Sequence, residues 1–216
     1  MIFRELALAI WVSLKTSGLA ALVASAVAVP AALFLAGRDF RGKRLVLLIN
    51  QTWMAAPTVV IGLLFYSLLS RSGPFGRLGL LFTQTAMTVG QVFLILPLIV
   101  GFSYTALRQV DKRARLTALT LGASRRQAGW VVIREAKYAL LIAVLAGFAR
   151  AISEVGIAMM LGGNIRNATR NITTSIALET AKGEFRNGVV LGAVLLVITL
   201  GINLLVQTGL RGKDKD

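Results

Sequence analysis

Four stretches of this chain, residues 16–37, 45–70, 78–107 and 187–210, contain no charged residue, and a fifth, 138–165, is interrupted only by Arg150 and Glu154. Each is long enough to cross a bilayer, since about 18–20 apolar residues in a helix span roughly 30 Å of hydrocarbon. Lipid offers no partner to a backbone N–H or C=O, so a crossing segment must close its own hydrogen bonds as a helix or share them around a sealed barrel. Strict in–out alternation, the mark of a barrel strand, is missing from all five runs. The expected fold is therefore an all-α integral membrane protein: one domain over residues 1–216, with five transmembrane helices at about 11–36, 45–70, 78–107, 130–161 and 187–210. The apolar share of 56% is what such a chain requires and exceeds the habit of soluble domains.

The charges between the runs are unevenly divided. With alternate loops on opposite sides, one side receives Arg38, Arg41, Lys43 and Arg44. It also receives Arg108, Lys112, Arg113, Arg115, Arg125, Arg126, Arg134 and Lys137, then Arg211, Lys213 and Lys215, which makes fifteen of the 24 basic residues. Lys and Arg accumulate in cytoplasmic loops, which places the N-terminus outside and the C-terminus in the cytoplasm. The net charge of +15 is thus absorbed by topology and by anionic lipid headgroups, and nucleic acid is not expected as a partner. The chain has no Cys and no His, which rules out Cys/His metal sites and thiol chemistry, and no metal site is expected. The first apolar run is too long for the core of a cleaved signal and is expected to remain as an anchor. Residues 1–14 either lie in the membrane interface or extend the first span.

Three of the four prolines, Pro30, Pro57 and Pro97, fall inside these runs. Each removes a helix hydrogen bond and favours a kink, either shaping the bundle or marking where helices flex. The segment 37–44 nearly matches the phosphate-cradling pattern G-x-x-x-x-G-K-[ST], but Arg44 stands where the Mg²⁺-binding hydroxyl belongs, and no strand precedes it. No ATPase is expected in this chain.

The polar island between the third and fourth runs has its own local chemistry. Asp111 is placed to cap a short helix over 112–121, and Gly122 suits the left-handed position that ends one. Ser124 and Gln127 have the spacing of a capping box that starts the next helix. The second outer segment, 162–188, is long and polar, with a short helix expected over 176–182 before Gly183. Arg150 and Glu154 stand one turn apart, where they can pair along the helix. Charges at that depth are costly and either pair or face a polar cavity. They are therefore either a structural ion pair or the lining of a solute path. Ser153, Gly162, Gly163 and Asn164 end the fourth run either as an ordinary helix exit or as amides and small polar groups that hold an oxyanion. No nucleophile–base–orienter set can be assembled, so the chain is expected to be non-catalytic.

With these residues in view, a family resemblance emerges. Thr117-Ala118-Leu119-Thr120-Leu121-Gly122-Ala123 resembles the cytoplasmic E-A-A-x-x-x-G motif of ABC importer permeases, with Leu116, Thr117 and Ala118 at the E-A-A positions. The family's acidic residue is Leu116 here, and its later I-x-L-P falls on Val132-Ile133-Arg134-Glu135, without the leucine or the proline. Ala149-Arg150-Ala151-Ile152-Ser153-Glu154-Val155-Gly156 resembles a segment of the molybdate, sulfate and tungstate permeases. Residues 159–166 and 173–183 look most like the tungstate type. The resemblance implies a type I importer fold and a homodimer. It also implies two ABC ATPase subunits and an external, periplasmic or extracellular, oxyanion-binding protein, all assembled in a prokaryotic cytoplasmic (inner) membrane. It implies an ATPase-coupling helix in the loop 108–129, carried by Arg113, Leu116, Thr117, Ala118, Leu119, Leu121, Gly122, Ala123 and Arg125. Arg150, Ser153, Glu154, Gly162 and Asn164 would belong to the path or gate for tungstate or molybdate. ATP and Mg²⁺ would bind the partner, and this chain would hold no cofactor. Two rival expectations are a permease of the same family for another solute such as sulfate, and a channel or scaffold that uses no ATP.

Overall fold

The computed structural model describes residues 2–211, and no strand occurs among them; Lys213 and Lys215 of the charged tail lie outside the described residues. The first helix, α1 (Ile2–Gly37), runs unbroken through Pro30, and residues 2–14 are continuous with the first apolar run. Ala20, Ala24, Ala28 and Ala32 recur at every fourth position and are completely buried. Small side chains at this spacing form a shallow groove that lets a second backbone approach closely. α4 (Gln84–Gln109) lies in that groove, and α7 (Lys137–Ile152) packs on both helices. The fit is tight where α4 meets α7: a Cβ on Gly147 would stand 2.6 Å from the Ile99 side chain. Ile95, Ile99, Ile157 and Leu161 fill the centre of this core.

Two of the five expected spans are not single helices. The second is α2 (Lys43–Met54) followed by α3 (Thr58–Leu69), bent by 97° at Ala55–Pro57. The fourth is α7 followed by α8 (Gly156–Gly162), bent by 60° at Ser153–Val155. Three helices are individually long and apolar enough to cross, at 4–37, 84–109 and 185–204, and the count reaches five if each bent pair is one span. The third span starts at Gln84, not Leu78, because the Thr83 hydroxyl accepts the Ala86 amide and caps α4 there. Before it, Gly76–Leu78 makes only a 3₁₀ turn.

The island between α4 and α7 forms α5 (Lys112–Thr120) and α6 (Arg125–Glu135), and Ala136 joins α6 to α7. Arg134 and Lys137 therefore belong to helices, not to a loop. Beyond α8, the short helix expected over 176–182 is α9 (Ile172–Ala181), which starts four residues earlier. A capping box of Asn171 and Thr174 sets its start, and the buried Ile172 amide donates to Ser13 Oγ of α1 at 3.0 Å. Gly183, at φ +80°, turns the chain into α10 (Phe185–Arg211), which packs on α9 and keeps most of its apolar surface outward.

Candidate functional site

Two places combine polar groups with unusual backbone, and they lie at opposite ends of α7. The first is the α5–α6 hairpin. Asp111 Oδ1 accepts the Arg113 amide at 2.9 Å and opens α5. At the far end the Gly122 amide donates to Leu119 O and the Ala123 amide to Ala118 O. This is the paired closure of a Schellman stop, with Gly122 in the left-handed region at φ +87°. Ser124 and Gln127 then form the expected reciprocal box: Gln127 Oε1 accepts the Ser124 amide at 2.7 Å and Ser124 Oγ accepts the Gln127 amide at 3.3 Å. Every turn of the hairpin is thus fixed by its own residues.

The hairpin sorts its side chains by direction. Arg113, Thr117, Gly122 and Arg125 are exposed, Leu121 is 82% exposed, and Ala118 and Ala123 are half-buried. Leu116, Leu119 and Arg125 line a cavity of about 790 Å³ between the hairpin and the ends of α1 and α4, with Leu116 and Arg125 exposed at its opening. The residues expected to act together therefore divide between an outer surface and an inner wall.

The second place is where the two bends meet. Gly156 opens α8 between Glu154 and Thr58: a Cβ on it would stand 3.2 Å from Glu154 Oε1 and 3.3 Å from Thr58 Oγ1. Arg150 Nη1 donates to Glu154 Oε2 at 2.7 Å. Glu154 is almost wholly buried, while about a third of the Arg150 side chain is exposed. Glu154 Oε1 also accepts the Ile157 amide at 3.2 Å, so one carboxylate both holds the guanidinium and satisfies the first turn of α8. A guanidinium carries five N–H donors, which leaves Arg150 donors to spare on its open side. Ser153 is exposed, with its hydroxyl donating to Arg150 O at 3.1 Å.

A broken helix strands carbonyls that water would otherwise satisfy. Here side chains from neighbouring helices reach two carbonyls at the bend: Gln91 Nε2 donates at 3.1 Å to Ala151 O, which the Glu154 amide also reaches at 3.2 Å, and Thr173 Oγ1 donates to Glu154 O at 2.8 Å. The bend in the second span is braced in the same manner. Pro97 lacks the N–H that would bond Phe93 O, and Trp53 Nε1 donates to that oxygen at 3.2 Å, while Asn50 Nδ2 donates to Pro97 O at 3.0 Å. Sequence reasoning missed Gln91, Thr173, Asn50, Trp53 and Thr58. For Gln91, Asn50, Trp53 and Thr58 the available signal was a polar side-chain group inside an uncharged run; Thr173 lies in the polar segment 162–188, where nothing set it apart from its neighbours.

Gly162 and Asn164 are not gathered with Arg150. They lie at the other end of α8, where Gly162 is buried against Met87 and its carbonyl accepts Thr169 Oγ1. Asn164, at φ +50°, accepts Arg170 Nε at 3.1 Å. A helix C-terminus presents carbonyls, which is the opposite of the amide cradle that an oxyanion needs.

Comparison with known proteins agrees with this architecture. The chain is 41% identical over 209 residues to a probable anion ABC transporter permease protein of Haloferax volcanii, covering 94% of this chain and 89% of that one. It is 40% identical over 199 residues to a tungstate uptake system permease protein of Peptoclostridium acidaminophilum, covering 92% and 87%. In three dimensions it superposes on a crystal structure of an amino acid ABC transporter with a TM-score of 0.72 at 17% identity, over 97% of this chain and 94% of the other, which speaks to the fold alone. Residues 28–210 match the family described as "Binding-protein-dependent transport system inner membrane component". The chain belongs to that family, the permease subunits of ABC transporters.

Proposed function

We propose that this chain is the transmembrane subunit of an importer that carries a tetrahedral oxyanion, tungstate first and molybdate next, delivered by an external binding protein and driven by a separate ATPase. The observation that carries the reading is 40% identity to a tungstate uptake permease over nearly the whole chain. In this reading the N-terminus is outside, the C-terminus and the hairpin are cytoplasmic, and α5 is the coupling helix. Arg113, Thr117, Ala118, Leu121, Gly122 and Ala123 face the ATPase, and Leu116, Leu119 and Arg125 back the coupling element from the cavity side. Two copies form the pathway between them. ATP and Mg²⁺ stay on the ATPase, and closure of that subunit pushes the hairpins so that the permease opens outward.

At the bends, Arg150 supplies the positive potential that a dianion needs inside a low-dielectric path. Glu154 holds Arg150 in place from a buried position behind it, and Ser153 adds an exposed hydroxyl. Gly162 and Asn164 serve the path by shaping the turn at its outer mouth. The test is reconstitution of the permease with its ATPase and binding protein in vesicles. Tungstate-loaded binding protein is expected to stimulate ATP turnover more than molybdate-loaded or sulfate-loaded protein. Stimulation by sulfate alone would move the substrate assignment, and stimulation by none of the three would overturn the oxyanion reading.

A further inference from the structure

The cavity under the hairpin has a composition that the transport cycle does not use. Five arginines line it, Arg38, Arg108, Arg115, Arg125 and Arg126, against two acids, Asp39 and Asp111. Among the described residues none of the five guanidiniums has a hydrogen-bonded or salt-bridged partner, although Arg38 sits 5.1 Å over the Phe34 ring. Both acids are engaged elsewhere, Asp39 with Lys43 at 2.8 Å and Asp111 as the cap of α5. The rest of the wall is largely apolar, and Phe34, Leu116 and Trp130 line it while 49–65% exposed. A volume of about 790 Å³ lies within the roughly 300–1,000 Å³ of sites that enclose small amphiphilic molecules.

We infer that this cavity holds an anionic phospholipid, its phosphate among the arginines and the start of its acyl chains on the apolar wall. The inference rests on the reading that the hairpin faces the cytoplasm, where anionic headgroups attract basic residues beside membrane helices. It explains why an apolar wall stands open beneath a charged rim: the wall is covered by lipid. A filled cavity also backs α5 with packed atoms, so that a push on the hairpin reaches α1 and α4 instead of collapsing a void.

The test counts lipid on the purified permease–ATPase complex by native mass spectrometry during titration with phosphatidylglycerol or phosphatidylcholine. Two variants address the two halves of the site. Arg108→Gln with Arg126→Gln removes two charges and is expected to weaken phosphatidylglycerol binding roughly thirtyfold, at about one surface cation's attraction each. Gly129→Leu places a branched four-carbon side chain on the cavity wall: a Cβ there meets nothing nearer than Leu33 Cδ2 at 3.9 Å, and leucine suits a helix interior better than glycine, so the fold survives while the start of the acyl chains is obstructed and lipid binding weakens. Wild type is expected to retain phosphatidylglycerol over phosphatidylcholine, with no displacement by inorganic phosphate or glycerol 3-phosphate. Equal retention by wild type and both variants overturns the inference, as does displacement by inorganic phosphate, which would mark a site for a free anion. If the ATPase does not copurify with wild type, the docking assignment falls, while the lipid count on the permease still decides this one.

Discussion

Arg150 illustrates how much one side chain is asked to do. Its partner Glu154 is buried and already bonded to the Ile157 amide, so the carboxylate stays satisfied in part even without the arginine. Breaking a buried ion pair costs about 3–5 kcal/mol when a charge is left alone. That penalty should be smaller here because Arg150 is partly exposed and Glu154 keeps a backbone donor. Arg150→Gln, which retains donors but removes the charge, is expected to lower oxyanion uptake tenfold or more while the complex still assembles on gel filtration. Loss of the assembled complex, with uptake per surviving transporter unchanged, would assign the pair to structure alone. The pairing was legible from the i, i+4 spacing. That Glu154 also starts a new helix was not, because nothing within residues 150–156 announces a bend. At the bend Gln91 and Thr173 reach the carbonyls of Ala151 and Glu154 from α4 and α9, and those contacts exist only in the folded chain.

At the scale of elements the chain shows two kinds of turn. The α5–α6 hairpin is written locally, in Asp111, Gly122, Ser124 and Gln127, and the bounds of α5 and the start of α6 could be read from sequence to within a residue, whereas the helix expected to run on through Trp130 to about 161 stops at Glu135 and restarts at Lys137. Gly122→Pro and Leu121→Asp are expected to abolish ATPase stimulation and uptake while leaving membrane insertion intact. The first breaks the left-handed stop, and the second places a charge on the exposed outer face. Normal uptake by both would remove the coupling role of α5. The bends within spans are instead written across helices. Pro30 and Pro97 stay inside continuous helices, while Pro57 follows a break and stands as the N-cap of α3, so proline alone did not reveal which span breaks. What distinguishes the second span is its bracing to α4 around Pro97 through Trp53 and Asn50. Trp53→Phe is expected to destabilise the permease by about 0.5–1.5 kcal/mol, the usual worth of one such bond. Pro97→Ala restores an N–H for Phe93 O, so in that background the Trp53→Phe cost should largely vanish. A double-mutant cycle on unfolding in detergent measures this, and additive costs would show that the indole bond does not depend on the N–H missing at Pro97.

The whole molecule raises the question of which end of the bundle is which. α5 and α6 project from one end, and the α8–α9 turn and the loop after α3 occupy the other. The hairpin end carries the larger share of the basic residues, and positive charge marks the cytoplasmic side. The absence of cysteine makes this directly testable, because each introduced thiol reports alone. Leu121, at 82% exposure, and Arg71, exposed in the loop after α3, are the natural positions. In right-side-out vesicles a membrane-impermeant maleimide is expected to label Arg71→Cys immediately and Leu121→Cys only after permeabilisation, with the order reversed in inverted vesicles. The same pair of thiols separates the readings made above. Leu121→Cys shielded by the added ATPase, with Arg71→Cys unaffected, places the engine on the hairpin. Labelling of Leu121→Cys from outside would detach the hairpin from any cytoplasmic partner, and with it the lipid assignment for the cavity beneath.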